Sequence, residues 1–125
     1  MASWGEYKTI PGLLAGAALT TAQYKIVKYA STAGEVVLAT SATSLIAGVL
    51  MNEPADGEAA EVAYQGLVKV YMSTNISAGE RLGVNASGYA VELGSTAGYT
   101  VVGAAVEANS TSGNIKRAIL SINEI

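Results

Sequence analysis

The sequence contains no histidine, cysteine or phenylalanine, and only 14% of its 125 residues are charged. Soluble domains carry about 25% charged residues, so this chain is poor in charge. Without histidine or cysteine there is no Ser-His-Asp triad, no thiol nucleophile and no His/Cys zinc site. Disulfides are excluded as well, so the fold must depend on packing alone.

Positive charge is particularly scarce. The chain has 7 Lys and Arg against 10 Asp and Glu, and its net charge is −3. Nucleic-acid binders need a basic face that displaces counterions from phosphates, so we expect no nucleic-acid partner. No glycine-rich loop ends in the Lys-Ser or Lys-Thr that holds a nucleotide. We therefore assign no cofactor and no small-molecule substrate.

Long apolar runs are absent. The longest uncharged stretches, Thr9–Tyr24 and Val36–Asn52, are broken by Thr, Ser and Gly. A membrane-spanning helix needs about 20 predominantly apolar residues, so we expect no membrane span. The apolar run Leu13–Leu19 follows Glu6 and a single Lys8 instead of a positive leader, which favours an ordered arm or first strand over a signal peptide.

Short β-rich runs separated by Gly, Asn and Ser clusters make up most of the chain. Turn signals about ten residues apart are typical of an all-β sandwich or barrel. The length is that of one compact domain, and we expect it to hold a single core. Gly12 and Gly16 weaken the one stretch with helical character. The predicted strands are Tyr24–Ala30, Glu35–Ala39, Ile46–Met51, Glu61–Met72, Arg81–Val84, Tyr89–Glu92, Thr100–Glu107 and Ile115–Ile122.

The two halves of this strand pattern resemble each other. Ala22–Val62 aligns with Ala78–Ala118, and the alignment places Gly48 opposite Gly103. Each half then has about four strands with the same order of turns, which predicts a pseudo-twofold β architecture. Chance similarity among glycine-punctuated Val and Ala strands is the alternative interpretation.

Residues 1–20 lie outside this repeat and are predicted to form an extended N-terminal arm, with 21–125 as the β domain. The arm carries the single Trp of the chain. Because a desolvated Trp contributes strongly to interfaces, we expect the arm to dock on its own domain or on a partner. The candidate contact residues are Trp4, Tyr7, Ile10, Pro11, Leu13 and Leu14.

Carboxylates and tyrosines offer alternative functions. Glu53 and Glu107 occupy near-equivalent positions of the repeat, and a facing pair would suit acid–base cleavage of a glycosidic bond. Asp56, Glu58 and Glu61 offer oxygen ligands for a cation, but no calcium-loop pattern surrounds them. Solvated charges at strand ends and turns explain both groups more simply, so we assign no catalytic or metal residue. The Tyr residues of the strands are either β-formers or a platform for stacking on sugars.

A series of short motifs runs in order through nearly the whole chain. The series is Pro11-Gly12, Ala22–Val27, Gly34–Thr40, Ile46–Leu50, Ala55–Val62, Gly66–Val70, Ile76–Val84, Asn85–Ala90 and Val102–Ala108. In order and spacing it resembles the small cement proteins, or head decoration proteins, of tailed-phage capsids. Trp4–Ile10 matches no pattern of that family, so a capsid contact of this segment is inferred and not carried over.

The resemblance implies a β-rich, non-enzymatic protein on the outer surface of an icosahedral phage head. Such proteins commonly bind as homotrimers and clamp neighbouring major capsid subunits against the pressure of the packaged DNA. The implied partners are the major capsid protein and further copies of the chain, and the implied location is the virion, after synthesis in the host cytoplasm. Low charge fits this function, because uncharged strand faces need an interface and three modest contacts give avidity. The alternative is a carbohydrate-binding or adhesive β module on a particle surface.

Overall fold

The computed structural model describes residues 7–41, 45–93 and 100–124. Within these ranges the chain forms ten strands, all joined in one sheet, and no helix. No helix in this part of the chain is long and apolar enough to cross a membrane. The predicted all-β fold is confirmed, and every predicted strand is present. The strands are β1 (Tyr7–Thr9), β2 (Leu14–Ala15), β3 (Ile26–Tyr29), β4 (Glu35–Leu38), β5 (Ile46–Leu50), β6 (Val62–Met72), β7 (Arg81–Val84), β8 (Ala90–Glu92), β9 (Thr100–Ala105) and β10 (Asn114–Glu124).

The second half of the chain closes into a five-stranded barrel. Around the barrel, β6, β10, β9, β7 and β8 follow one another as antiparallel neighbours. The circuit closes where β8 pairs in parallel with β6, at Met72 and Ala90. The β6–β10 ladder is the longest and runs without a register shift from the Met72–Asn114 pair to the Gln65–Ser121 pair.

The first half repeats this circuit with the same pairings. β2 is parallel to β4, β4 is antiparallel to β3, β3 to β5, and β5 to the start of β6. The circuit closes between β2 and the residues that lead into β6. There the Ala15 amide donates to the Glu58 carbonyl at 2.8 Å, and the Gly57 amide donates to the Ala15 carbonyl at 2.9 Å. Strand β6 therefore belongs to both circuits.

The predicted repeat of strand order is confirmed, but it begins earlier than the sequence alignment indicates. In the first circuit β2 is the parallel neighbour of β4. In the barrel the end of β6 is the parallel neighbour of β8, so β2 and the end of β6 occupy corresponding places. The expectation that residues 1–20 lie outside the repeat is wrong for Leu14–Ala15, because the first circuit needs this strand to close.

The buried side chains form two clusters, so the expectation of a single core is wrong. One cluster consists mainly of barrel residues, and the other comes entirely from the first half of the chain. Neighbouring residues of β3, β5 and β6 alternate between the two clusters: Ile26 and Val27, Val49 and Leu50, Ala63 and Val62. At these positions the three strands form a wall between the clusters and are buried on both faces. Only β5 is buried along its whole length, which explains why it is apolar at every position.

One close approach of backbone occurs in both circuits. A Cβ atom added at Gly48 would overlap the carbonyl oxygen of Ala63 on the neighbouring strand. A Cβ atom added at Gly103 would overlap the carbonyl oxygen of Ile119 in the same way. The equivalence of these two glycines in the sequence therefore reflects one packing requirement that the chain meets twice.

A cation–π cluster outside the cores joins the two circuits. Tyr71 and Tyr89 stack with ring centroids 5.2 Å apart and planes 12° apart. The Lys25 ammonium lies 5.4 Å from the Tyr71 centroid and 5.7 Å from the Tyr89 centroid. Because Lys25 immediately precedes β3 and both tyrosines belong to the barrel half, this contact fixes one circuit against the other.

Replacing Gly103 by Ala should lower the free energy of unfolding by about 3 kcal/mol or more, because the new methyl group meets backbone. Gly48→Ala should behave alike. In the control Gly34→Ala the added Cβ meets nothing within 4 Å, and only the φ of +82° is unfavourable. That control should cost about 1–2 kcal/mol. Urea unfolding compares the three variants, and a Gly103→Ala protein as stable as the parent would contradict the close approach.

Candidate functional site

The β6–β10 ladder presents a continuous outer face. Because its register does not shift, alternate residues of the two strands point outward together, while residues such as Val70 and Leu120 point inward and are buried. Four cross-strand pairs form what we call the outer β6–β10 face: Gln65 with Ser121, Leu67 with Ile119, Lys69 with Arg117, and Tyr71 with Ile115.

A groove of about 630 Å³ opens at the Gln65–Ser121 end of this face. Two large side chains on its walls are exposed to solvent, Tyr29 at 42% and Tyr64 at 38%. Exposed aromatic side chains around a concavity are typical of a docking surface. We call it the aromatic groove, and its lining residues are Thr9, Ile10, Pro11, Tyr29, Ile46, Ala47, Tyr64, Gln65, Ser121 and Ile122.

Strand pairing holds the walls of the aromatic groove in place. The Ile10 amide donates to the Val62 carbonyl at 3.0 Å, which fixes the N-terminal segment beside β6. On β6, Tyr64 and Gln65 follow the fully buried Val62 and Ala63, and both become exposed where the register between β1 and β6 shifts. The Tyr29 amide donates to the Leu45 carbonyl at 3.1 Å, which fixes the end of β3 beside the start of β5.

The aromatic groove contains two of the residues predicted to contact a partner. Ile10 and Pro11 both line it. Leu13 is 8% exposed and packs in the cluster of the first circuit, so its side chain offers little surface to a partner. Leu14 is exposed but lies outside the groove lining. Trp4 falls outside the described residues, and its contact stays a prediction.

Tyr7 is engaged within the domain. Its hydroxyl donates to the Glu61 carboxylate at 2.9 Å, and its strand pairs with β6 opposite Gly66. The N-terminal segment was expected to dock either on its own domain or on a partner. The structure shows that residues 7–20 pack on their own domain. Tyr29 and Tyr64 were not predicted as contact residues, because no local sequence feature distinguishes them from the other strand tyrosines. Only the distribution of Tyr over several strands hinted at an aromatic surface.

The acid–base alternative is not favoured by the surroundings of Glu107. The Arg117 side chain donates from Nε to the Glu107 Oε2 atom at 3.0 Å, and the Arg117 amide donates to the same oxygen at 3.1 Å. These hydrogen bonds, the side-chain bond foremost, hold the pKa of Glu107 below its ordinary value of 4.5. A carboxylate kept ionised in this way is poorly suited to proton transfer near neutral pH.

In the second set of carboxylates, Asp56, Glu58 and Glu61, two side chains have hydrogen-bond partners within the domain. The Glu58 carboxylate accepts a hydrogen bond from the Ala55 amide at 2.8 Å, and Glu61 accepts the bond from Tyr7. Among the residues that the structure describes, no group of three or more Asp and Glu side chains is placed to hold a metal ion. The turn that contains Asp56 therefore gives no support to a cation site.

Comparison with known proteins identifies a shared fold. No family model matches the sequence, and no curated protein sequence matches it. The chain is similar to the crystal structure of the N base of the head fiber protein gp8.5 of bacteriophage phi29, with a TM-score of 0.64 and 21% identical residues. The alignment covers 87% of this chain and 92% of the phage chain. At this identity the likeness establishes the fold.

Changing Arg117 to Met should raise the pKa of Glu107 towards 4.5, because the guanidinium bond that favours the ionised carboxylate is lost. In the parent, this bond contributes stability that is fully present above the ordinary Glu pKa and is lost as the pH falls through the lowered value. A carbon-detected NMR titration of the Glu107 carboxyl group measures the change. An unchanged midpoint in the variant would contradict the assignment of the pKa shift to Arg117.

Proposed function

We propose that the protein is a structural component of a phage head, binding the outer capsid surface and clamping neighbouring major capsid subunits. The observation that carries the proposal is the fold, which is shared over 87% of the chain with the base of a phage head fiber protein. The order of motifs along the sequence, which resembles that of capsid cement proteins, independently supports a location on the head.

We assign the capsid contact to the aromatic groove together with the N-terminal segment that forms one of its walls. Ile10 and Pro11 bring this segment to the groove, where Tyr29 and Tyr64 expose rings that lose little conformational entropy on binding. Trp4, which precedes them in the sequence, is proposed as a further anchor. Leu13 is left out because it is buried.

A homotrimer is part of the proposal. Ile119 on the outer β6–β10 face is uncharged and 45% exposed, and Ala104 of β9 lies opposite it in the neighbouring ladder. This apolar stripe is our candidate for the seam between copies. Three linked contacts turn a modest affinity of each copy into avid binding to the shell.

The proposed function is mechanical and non-enzymatic. The groove is bordered by Tyr, Ile and Pro side chains, and the Glu107 carboxylate forms an ion pair with Arg117 at 3.0 Å. A protein that works by bridging subunits needs shape and apolar contact rather than a titrating group. The low charge content of the chain, 14%, suits a surface that is covered by neighbours.

Replacing Tyr64 by Ala should weaken binding to undecorated heads about tenfold, because truncation of an aromatic anchor in a contact typically costs more than 1 kcal/mol. The matched control is Val106→Ala, since Val106 is exposed to the same extent, 38%, but does not line the groove. Co-sedimentation of the protein with heads over a range of concentrations measures the affinity.

Two results of this experiment would contradict the proposal. Parent protein that stays in the supernatant at micromolar concentration, with heads that gain no resistance to heat, would remove the function itself. Parent protein that binds, with equal affinities for Tyr64→Ala and Val106→Ala, would remove the groove as the contact. The circular dichroism spectra of both variants must match that of the parent.

The exposed tyrosines of the groove also support a second candidate, a carbohydrate-binding or adhesive module. Tyr29 and Tyr64 expose rings at a concave site, and tyrosine faces stack on sugar rings. A glycan array probed with the parent and the Tyr64→Ala variant separates the candidates. Saturable binding to heads without any glycan signal would dispose of this second function.

A further inference from the structure

Basic side chains gather at one place on this acidic protein. Of the 7 Lys and Arg residues, Lys69 and Arg117 lie opposite each other on the outer β6–β10 face, and Lys116 is the neighbour of Arg117 on β10. They line two adjoining depressions of about 370 and 350 Å³ that share Tyr24, Lys69 and Arg117. We call the two together the basic groove.

The charges in the basic groove are not balanced. Lys69 lies directly opposite Arg117 in the β6–β10 ladder, and like charges in such a pair repel. Arg117 has a counter-charge, the Glu107 carboxylate at 3.0 Å. The cations that act on the pKa of Glu107 are Arg117 and Lys116, and Lys69 is not one of them. Across residues 7–41, 45–93 and 100–124, no side chain forms an ion pair or hydrogen bond with the Lys69 ammonium.

The floor and one wall of the basic groove are apolar or aromatic. Met51 and Leu67 lie beside Lys69 and Arg117 in the larger depression, and Tyr24 borders both depressions. Tyr24 has a φ of +69°, a conformation that is unfavourable for an aromatic residue. Two hydrogen bonds maintain it: its amide donates to the Leu50 carbonyl at 2.6 Å, and its carbonyl accepts from the Tyr71 amide at 2.8 Å. Backbone strain held in this way is common at ligand-binding positions.

From this combination we infer that the basic groove binds a partner protein through an acidic segment, in which a carboxylate side chain neighbours an apolar one. The carboxylate pairs with Lys69 and with the free edge of the Arg117 guanidinium, and the apolar side chain lies against Tyr24, Met51 and Leu67. Complementary charge identifies this occupant. The net charge of −3 repels an acidic partner from the rest of the surface and so directs it to this groove.

A nucleic acid is a poorer occupant of the same groove. Glu107 lies in the smaller depression and would face the phosphates of a polyanion, while a single carboxylate can be accommodated at Lys69. The volumes of the two depressions, about 350 and 370 Å³, fit a few side chains and are too small for a nucleic-acid backbone. The inference does not depend on binding to a phage head, because its probe is a peptide.

The test uses the full-length, ¹⁵N-labelled protein and the peptide Gly-Leu-Glu-Leu-Glu-Gly, followed by NMR chemical shifts. We expect saturable shifts at Lys69, Arg117 and Tyr24 with a Kd of about 1 mM, weakened by added salt. Lys69→Met, which keeps the aliphatic stem, should weaken binding about tenfold. The control Lys28→Met removes a cation from β3, where its ammonium is bonded to Thr40 at 3.3 Å, and should leave peptide binding unchanged.

Stability provides a second readout that a purely structural lysine would not give. Because Lys69→Met removes the repulsion with Arg117, its Tm should rise by about 1–4 °C while binding falls. Lys28→Met should show no rise. The inference is overturned if the Gln peptide Gly-Leu-Gln-Leu-Gln-Gly binds equally well, or if Lys28→Met loses as much affinity as Lys69→Met. Displacement of the peptide by an equal concentration of inorganic phosphate would also overturn it, because the groove would then be a general anion site.

Discussion

Strand β6 is the element on which the rest of the structure depends, because it pairs in both circuits. Its first residues pair with β5 in the first circuit, and residues 65–72 pair with β10 in the barrel. Ala63 is paired with β5 and with β1, so these two strands lie on opposite edges of β6. Strand β6 must therefore satisfy backbone partners on both edges and bury side chains on both faces. The N-terminal segment, the wall between the cores and the outer β6–β10 face all take their positions from it.

The functional surfaces follow from the same constraint. Where β6 leaves the wall, Tyr64 and Gln65 turn outward and the N-terminal segment lies alongside, which produces the aromatic groove. Further along, the unshifted ladder with β10 sets Lys69 opposite Arg117 and leaves the larger depression between them and Tyr24. Both grooves thus lie along one strand, the aromatic groove at Tyr64 and Gln65 and the basic groove at Leu67 and Lys69.

Much of the fold is predictable from the sequence, because turn glycines and alternating Val and Ala runs are local signals. Strands β1 and β2 escape prediction since they have three and two residues and no periodicity, and they form only because partner strands are present. The second core is not predictable from the sequence for a related reason. The residues Val49 and Leu50 are both apolar, and only the arrangement of strands in space shows that they enter different clusters.

The candidate sites are predictable only in part. The sequence pointed to Ile10 and Pro11, because an X-Pro step in an apolar N-terminal segment is a local feature. It did not identify Tyr29 and Tyr64 as neighbours, nor the Lys69–Arg117 pair, because these contacts depend on long-range strand register. The burial of Leu13 was not predictable, because an apolar side chain in a short segment looks the same whether it faces a partner or its own core.

We propose that this β-barrel protein attaches to a phage head through the aromatic groove. A cryo-electron microscopy map of heads decorated with the protein tests it most directly. We expect three copies around each contact, with Tyr29, Tyr64 and the segment around Pro11 facing the major capsid subunits. A map in which the aromatic groove faces solvent while another surface holds the shell would contradict the account.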